Sequence, residues 1–382
     1  MDSKSKKIAI VLSTGGLEND DRVRKEVLSI NKMGRFHIKI FAKVNENKYQ
    51  EGVTSYGTPF TLVYLKTRDI FPSARFLSFK IMEMFFKLRK ELKQYDVIWC
   101  ADEGMFIFPL LMRKKVIIWD LHEIPALFLK SRLAIKLFHH LENKCKTIIH
   151  ANTFRLNYLI EHGLVAQRDK HRTLRNYPDR TFIESTLIPD SHSEIKDWLN
   201  GSKYVYLQGI SSPARQPYNS IASIVEATDL KIIVTAGKLD DKTYKMLIER
   251  YGINLFNERV YFTGMLDQLF TPYVIKNALF SMVFYKTSTP NNRFCEANRF
   301  YQSLVFGVPV ICGCNEPMKD IIDKYNCGIS IKSDGSDKNE MINAISILLN
   351  DYDYYRKNAI SVKDLFVWND RDVSQILQEY LI

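Results

Sequence analysis

Residues 279–311 read LFSMVFYKTSTPNNRFCEANRFYQSLVFGVPVI. The first seven residues form an apolar run rich in strand formers, and a second such run, VPVICG, spans 308–313. Each predicts a short buried strand. A polar loop and a helix beginning near Ala297 fill the gap, which makes the segment one strand–helix–strand unit with parallel strands. On that helix Asn298 and Gln302 stand four residues apart, one above the other, with Arg299 beside them, while Phe300, Tyr301, Leu304 and Val305 face elsewhere and can pack. Its first turn therefore offers a polar face and free backbone N–H groups, a combination that binds phosphates. The alternative is that Asn298 only caps the helix and Arg299 is solvated.

The same alternation runs through the chain. Strand-like segments fall at 7–13, 36–44, 61–65, 96–101, 115–121 and 146–151, then at 203–209, 230–237, 259–264, 279–285, 308–313 and 328–332, with room for helices between most of them. Two doubly wound α/β domains follow. The first is expected over 1–178 and the second over 200–365; the proline-bearing polar stretch 175–202 reads as the crossing, and 366–382 as a C-terminal helix returning to the first domain. Asn369 or Asp370 is its expected N-cap. The carboxylates of 19–21, 240–241 and 370–372 read as caps too, rather than metal ligands.

The 382 residues suffice for two full cores. No apolar run approaches the roughly 20 residues of a membrane-spanning helix, and the basic start followed by a short apolar run reads as a first strand, so a cytoplasmic protein is expected. Six scattered cysteines without paired spacing read as buried thiols. The net charge of +11 lies entirely in residues 1–150, which hold 27 Lys and Arg against 16 Asp and Glu. That asymmetry points to an anionic partner for the first half, or to a plain solvated surface. Segments 73–94, carrying Arg75, Lys80, Lys87, Arg89, Lys90 and Lys93 among phenylalanines, and 127–146 fit a basic amphipathic helix on an anionic membrane, and equally a core helix with a solvated face. They match no nucleic-acid module, and no G-x-G-x-x-G or Walker A loop occurs.

The opening segment, with Tyr285, Ser288, Asn292, Phe294, Asn298, Phe300 and the GVPVI strand, resembles the donor-binding segment of retaining GT-B glycosyltransferases of the family-4 kind. Arg299 stands where Lys is usual. Gln302 takes the place of a Glu that accepts from the donor ribose, and Phe294 that of a Glu that touches the donor sugar, leaving Glu296 as its displaced candidate. The likeness extends over nearly the whole chain. YVYLQGISSPAR resembles the strand, Gly turn and basic residue of the donor domain, implying that Gly209 lets the donor approach and Arg215 neutralises its diphosphate; Ile210 stands where a second basic residue is common. GGLENDDRVRKEV resembles the Gly-rich loop before an Asp-x-Arg-Val helix, and the strand ends at Asp102 and at Asp120 to Glu123 match as well.

The resemblance implies GT-B architecture, two Rossmann-like parallel-sheet domains facing a cleft. It implies transfer of a sugar from a nucleotide-sugar to a saccharide or lipid-linked saccharide with retention, in cell-surface polysaccharide assembly, without metal or other cofactor. His122, Arg215 and Arg299 are the expected catalytic residues; Gly209, Asn292, Glu296, Asn298 and Gln302 bind donor, and Gly15, Gly16 and Asp102 acceptor. His122 could instead be a packed core histidine. A sugar-nucleotide epimerase and a catalytically silent binding protein of the same fold remain as alternatives.

Overall fold

The computed structural model describes residues 5–17, 20–44, 50–73 and 76–378. The chain divides into two compact units, residues 1–176 with 369–382, and residues 177–368.

Among the described residues the first unit holds eight strands: β1 (Lys6–Leu12), β2 (Phe36–Val44), β3 (Gln50–Val53), β4 (Pro59–Tyr64), β5 (Val97–Ala101), β6 (Val116–Leu121), β7 (Thr147–His150) and β8 (His171–Thr173). Their order is β3-β4-β2-β1-β5-β6-β7-β8. All pairs are parallel except β3 with β4. Central strands are apolar on both faces because helices cover both; every residue of β5 is buried.

The second unit holds β9 (Tyr204–Gln208), β10 (Lys231–Thr235), β11 (Val260–Gly264), β12 (Ser281–Val283), β13 (Val310–Cys312) and β14 (Gly328–Ser330). They are all parallel in the order β11-β10-β9-β12-β13-β14. The strand order therefore reverses between β9 and β12, and the crevice at the carboxyl ends of such a pair is where doubly wound sheets take ligands.

All twelve expected strands form, and two more join them. β3 and β8 are polar edge strands that hydrophobic patterning passes over. β3 is held by Glu51, which accepts from Thr61 Oγ1 at 3.0 Å and Lys39 Nζ at 3.2 Å. The stretch 175–202 is more than a crossing: it carries the helices Arg180–Ile183 and His192–Leu199, and Phe182 and Ile195 are buried in the second core.

The expected caps are in place. Asp20 accepts from Val23 N, Asp240 from Thr243 N, and Asn369 Oδ1 from Arg371 N. Asn19, of the acidic run 19–21, lies outside the described residues. The last helix, Asp370–Gln378, buries Val373, Ile376 and Leu377, and Asp370 accepts from Ser29 Oγ at 2.7 Å and Lys32 Nζ at 2.6 Å on the helix Asp21–Lys32.

Beyond β6, the first unit buries a polar chain. His150 Nε2 lies 2.7 Å from His171 Nδ1, and His171 Nε2 lies 2.8 Å from Glu142 Oε1, which also accepts the amides of Ala166 and Gln167. Burial lowers the proton affinity of both histidines; the charge of His171 adds to the effect on His150, and the Glu142 hydrogen bond opposes it on His171. Histidines whose folded pKa is depressed bind protons more readily when unfolded, so stability falls as pH drops below the unfolded value of about 6.5. Each contributes a slope of up to about 1.4 kcal/mol per pH unit in that window. The urea midpoint is expected to fall between pH 7 and 5.5 at fixed ionic strength, and less steeply in His150→Gln.

Candidate functional site

In the second unit, the residues at the β9–β12 switch point converge on two guanidinium groups. Arg299, on the helix Asn298–Leu304, is only 6% exposed. Its Nη1 donates to the Gln208 carbonyl at the end of β9, and its Nη2 donates to the Phe284 carbonyl just past β12 at 3.2 Å. The side chain thus bridges the two strands where the order reverses. Arg215 donates Nη1 to the Gly209 carbonyl. Both guanidiniums lie over the Tyr285 ring, 4.9 Å from its centroid for Arg299 and 5.5 Å for Arg215. No described carboxylate pairs with either, and Arg299 Nε is buried without an acceptor. Burial, with the like charge of Arg215 adding to it, lowers the Arg299 pKa.

Gly209 makes this approach possible. Its φ of 61° favours glycine, and a Cβ there would lie 2.5 Å from Arg215 Nη1. Gln302 is 5% exposed and its Oε1 is buried with no donor. Asn298, one turn earlier, is exposed, so the two do not form one equivalent polar face. Nor does Asn298 cap the helix: Ala297 occupies that position and supplies no side-chain acceptor. The helix has seven residues, so the cationic field comes mainly from the arginines. Asn292 is half-buried, its carbonyl accepting from Asn315 Nδ2 at 2.7 Å, and Glu296, four residues on, is half-buried too. Phe294 and Ile210 are buried apolar residues.

Sequence reasoning missed three neighbours: Gln208 Oε1, Gln216 Nε2 and Asn315 Oδ1 are buried and unpartnered. Gln208 ends a strand and Gln216 and Asn315 stand just before helices, a placement visible in the sequence, but nothing there says which way a side chain turns.

In the first unit, the carboxyl edge of the sheet carries an acidic set. Asp102 has φ 106°, a conformation costly for a residue with a Cβ. Its carboxylate accepts from Ser13 Oγ and from the Gly104 amide at 3.0 Å. Against burial, which would raise it, hydrogen bonds from Glu103, Ser13 and the Gly104 amide hold its pKa below the usual range. Burial, then the bond to Asp102, pushes Glu103 up to about 8. Asp120 is fully buried and chelated by Arg22, Nε and Nη2 each at 2.7 Å, and its Oδ2 lies 3.0 Å from His122 Nε2. A carboxylate partner makes Nε2 the donor, and in the neutral ring Nδ1 is then the acceptor. The His122 side chain is 25% exposed, so it is not a sealed core residue.

Gly15 is required by close contact, since a Cβ there would meet the Lys43 carbonyl at 2.4 Å. Gly16 is not, its nearest neighbour being Thr14 Oγ1 at 3.8 Å.

At the amino edge of the same sheet, a pocket of about 560 Å³ is lined by Arg89, Lys90, Lys93, Arg113 and Lys115 together with apolar residues. Phe79, Met82 and Phe86 are exposed on the adjoining helix Leu77–Leu88. Two cations of the 73–94 stripe do not belong to that surface: Lys80 is 5% exposed, and Lys87 donates to the Tyr64 carbonyl and pairs with Glu83. Arg75 lies outside the described residues. No described helix is long and apolar enough to cross a membrane.

The sequence matches no protein-family model and no curated protein. Solved structures do match over the whole chain. Sucrose-phosphate synthase from Thermosynechococcus elongatus is similar with a TM-score of 0.76 at 15% identity, covering 98% of both chains. Anabaena HepE in complex with UDP-glucose gives 0.72 at 14%, covering 98% of this chain and 99% of its own. WaaG, a glycosyltransferase involved in lipopolysaccharide biosynthesis, gives 0.65 at 13%, covering 97% and 99%. The chain thus has the fold of GT-B glycosyltransferases: two α/β domains, each built on a parallel sheet.

Proposed function

We propose that the chain is a glycosyltransferase whose second unit binds the diphosphate of a nucleotide-sugar and whose first unit binds the acceptor. The observation that carries this is the pair Arg215 and Arg299, converging on one tyrosine at the switch point without a carboxylate between them. A buried cation left uncompensated by its own fold is costly, and an incoming diphosphate relieves that cost. When the glycosidic bond to the diphosphate breaks, negative charge grows on the leaving oxygen, and a preorganised positive field stabilises it. Retention of configuration, with the departing diphosphate taking the acceptor proton, suits a site built this way and requires no metal. His122, fixed by Asp120 with Nδ1 as a free acceptor, is suited to a sugar hydroxyl.

HepE is described with UDP-glucose, which makes uridine the first base to test. UDP is expected to raise the melting temperature of the full chain, since a ligand of the folded state stabilises it. Arg215→Gln is expected to weaken UDP and inorganic pyrophosphate alike, about 10- to 100-fold, the range for a charge-assisted hydrogen bond. Unchanged affinity in folded Arg215→Gln and Arg299→Gln variants would overturn the assignment. UDP-sugar bound without turnover on any acceptor would favour the silent alternative, to which Gln302 and Phe294 lend support, and an altered sugar nucleotide without acceptor would favour the epimerase.

Gln302 offers a separate check. A carboxylate accepts hydrogen bonds roughly twice as strongly as an amide, so Gln302→Glu is expected to tighten UDP several-fold while leaving pyrophosphate unaided. Calorimetric titration of both ligands reads the difference.

The acceptor setting we propose is a lipid-linked saccharide in cell-surface polysaccharide assembly, reached by a cytoplasmic protein at the membrane face. Support comes from Arg89, Lys90 and Lys93 beside exposed Phe79, Met82 and Phe86. Each such cation near an anionic surface contributes about 1 kcal/mol. The chain is expected to float with anionic liposomes at low salt, and the triple change of Arg89, Lys90 and Lys93 to Gln to abolish flotation; no flotation of the wild type at low salt would dismiss membrane contact.

A further inference from the structure

The pocket of about 560 Å³ at the amino edge of the first sheet draws its cations from two separate segments. Arg89 and Lys90 follow the helix Leu77–Leu88, and Lys93 lies on the single turn Glu91–Gln94 ahead of β5. Arg113 and Lys115 come from the loop between the helix Ile107–Leu111 and β6. Lys115 ties the segments together, its Nζ donating to the carbonyls of Lys93 at 2.7 Å and Tyr95 at 2.6 Å. Arg89 lies over the Phe86 ring, 5.4 Å from its centroid. Phe85, Leu111 and Met112 supply the apolar part of the lining.

No acid answers these charges. The lining contains no Asp or Glu, and among the described residues none of the five cations pairs with a carboxylate. Glu91, inside the same basic run, turns to Lys39 Nζ at 3.0 Å, and Asp96 accepts the Lys7 amide at 2.8 Å. Basic residues at a helix end are ordinarily explained by the negative pole of the helix. That accounts for Arg89 and Lys90 singly; it gives no reason to bring a second basic segment against the first around one cavity with no acid between them.

We propose that this pocket is an anion site of its own, separate from the donor site, and that it binds a phosphate group carrying two or more negative charges. The inference deepens the membrane reading, which takes Arg89, Lys90 and Lys93 as part of a surface, by adding Arg113 and Lys115 and making the surface hold one ligand per chain. Phosphate oxygens accept from several donors at once, and arginine presents a forked set of N–H groups to them. A soluble polyphosphate and the phosphomonoester headgroup of an anionic lipid offer the same chemistry.

The test is calorimetry on the full chain carrying Arg215→Gln, so that the donor site competes less, with inorganic tripolyphosphate as the probe. One site per chain is expected. Adding Lys90→Gln with Arg113→Gln is expected to weaken it about 10-fold or more, the range for charge-assisted hydrogen bonds; Lys115 stays, because its bonds hold the two segments. Adding instead Arg132→Gln with Lys136→Gln, exposed cations on the helix Arg132–Lys144, is expected to change little. UDP affinity, measured with Arg215 intact, is expected to be the same with either pair. Phosphatidylcholine vesicles with and without phosphatidic acid separate the sources. If tripolyphosphate releases the chain from the phosphatidic acid vesicles and the Lys90→Gln, Arg113→Gln pair abolishes their binding, the ligand is a lipid headgroup. If tripolyphosphate binds in the pocket but the vesicles do not bind or are not released, the ligand is soluble, and absence of vesicle binding also removes the membrane reading. Equal weakening by the two pairs, or no tripolyphosphate binding by the folded chain, overturns the site; flotation that survives Lys90→Gln with Arg113→Gln then leaves the membrane reading standing without it.

Discussion

The second unit depends on a guanidinium that its own fold does not neutralise. Arg299 is buried, and it links the carbonyls of Gln208 and Phe284 across the reversal in strand order. Burying such an ion costs several kcal/mol. The first unit contains the contrasting case, Arg22, buried to a similar degree but chelated by Asp120. There Asp120 strengthens Arg22's hold on its proton, whereas Arg299's is weakened. Carbonyl dipoles and the face of Tyr285 keep Arg299 in place without cancelling its charge, whereas the Asp120 carboxylate offsets that of Arg22.

That arrangement also explains why the helix Asn298–Leu304 can be so short. One side carries Arg299 toward the strand ends; Tyr301 packs against Tyr177 at 4.6 Å and Phe366 at 5.4 Å between ring centroids. Tyr177 and Phe366 lie close to the two places where the chain passes between units, and there the Trp368 amide donates to the Pro178 carbonyl at 2.8 Å. A seven-residue helix has little stability of its own. Packing holds it, so the position of Arg299 is set by aromatic contacts on the helix's far side, a supporting shell that rigid binding sites need.

The fold was largely legible because parallel strands buried on both faces write themselves as apolar runs, as VIWCA of β5 does. β3, QEGV, and β8, HRT, escaped because edge strands need no apolar pattern; cross-strand polar pairs and the His171 bond hold them instead. Residue types at the candidate site were legible too, but their directions were not. A helical wheel sets Asn298 and Gln302 on one face, yet only Gln302 is buried, Asn298 standing exposed in the first turn. Lys80 belongs by spacing to a solvated basic stripe and instead turns inward to the carbonyls of Pro72 and Ser73.

Those directions change the meaning of the charge asymmetry. Read as a sum, the excess of Lys and Arg in residues 1–150 suggests one basic face. In the fold it separates into two sets at opposite edges of one sheet: Lys43, Arg68 and Lys80 at the carboxyl edge beside Asp102, and Arg89, Lys90, Lys93, Arg113 and Lys115 at the amino edge beside exposed phenylalanines. The second set is hydrated and screened by salt. The first includes Lys80, removed from water and turned inward to backbone carbonyls.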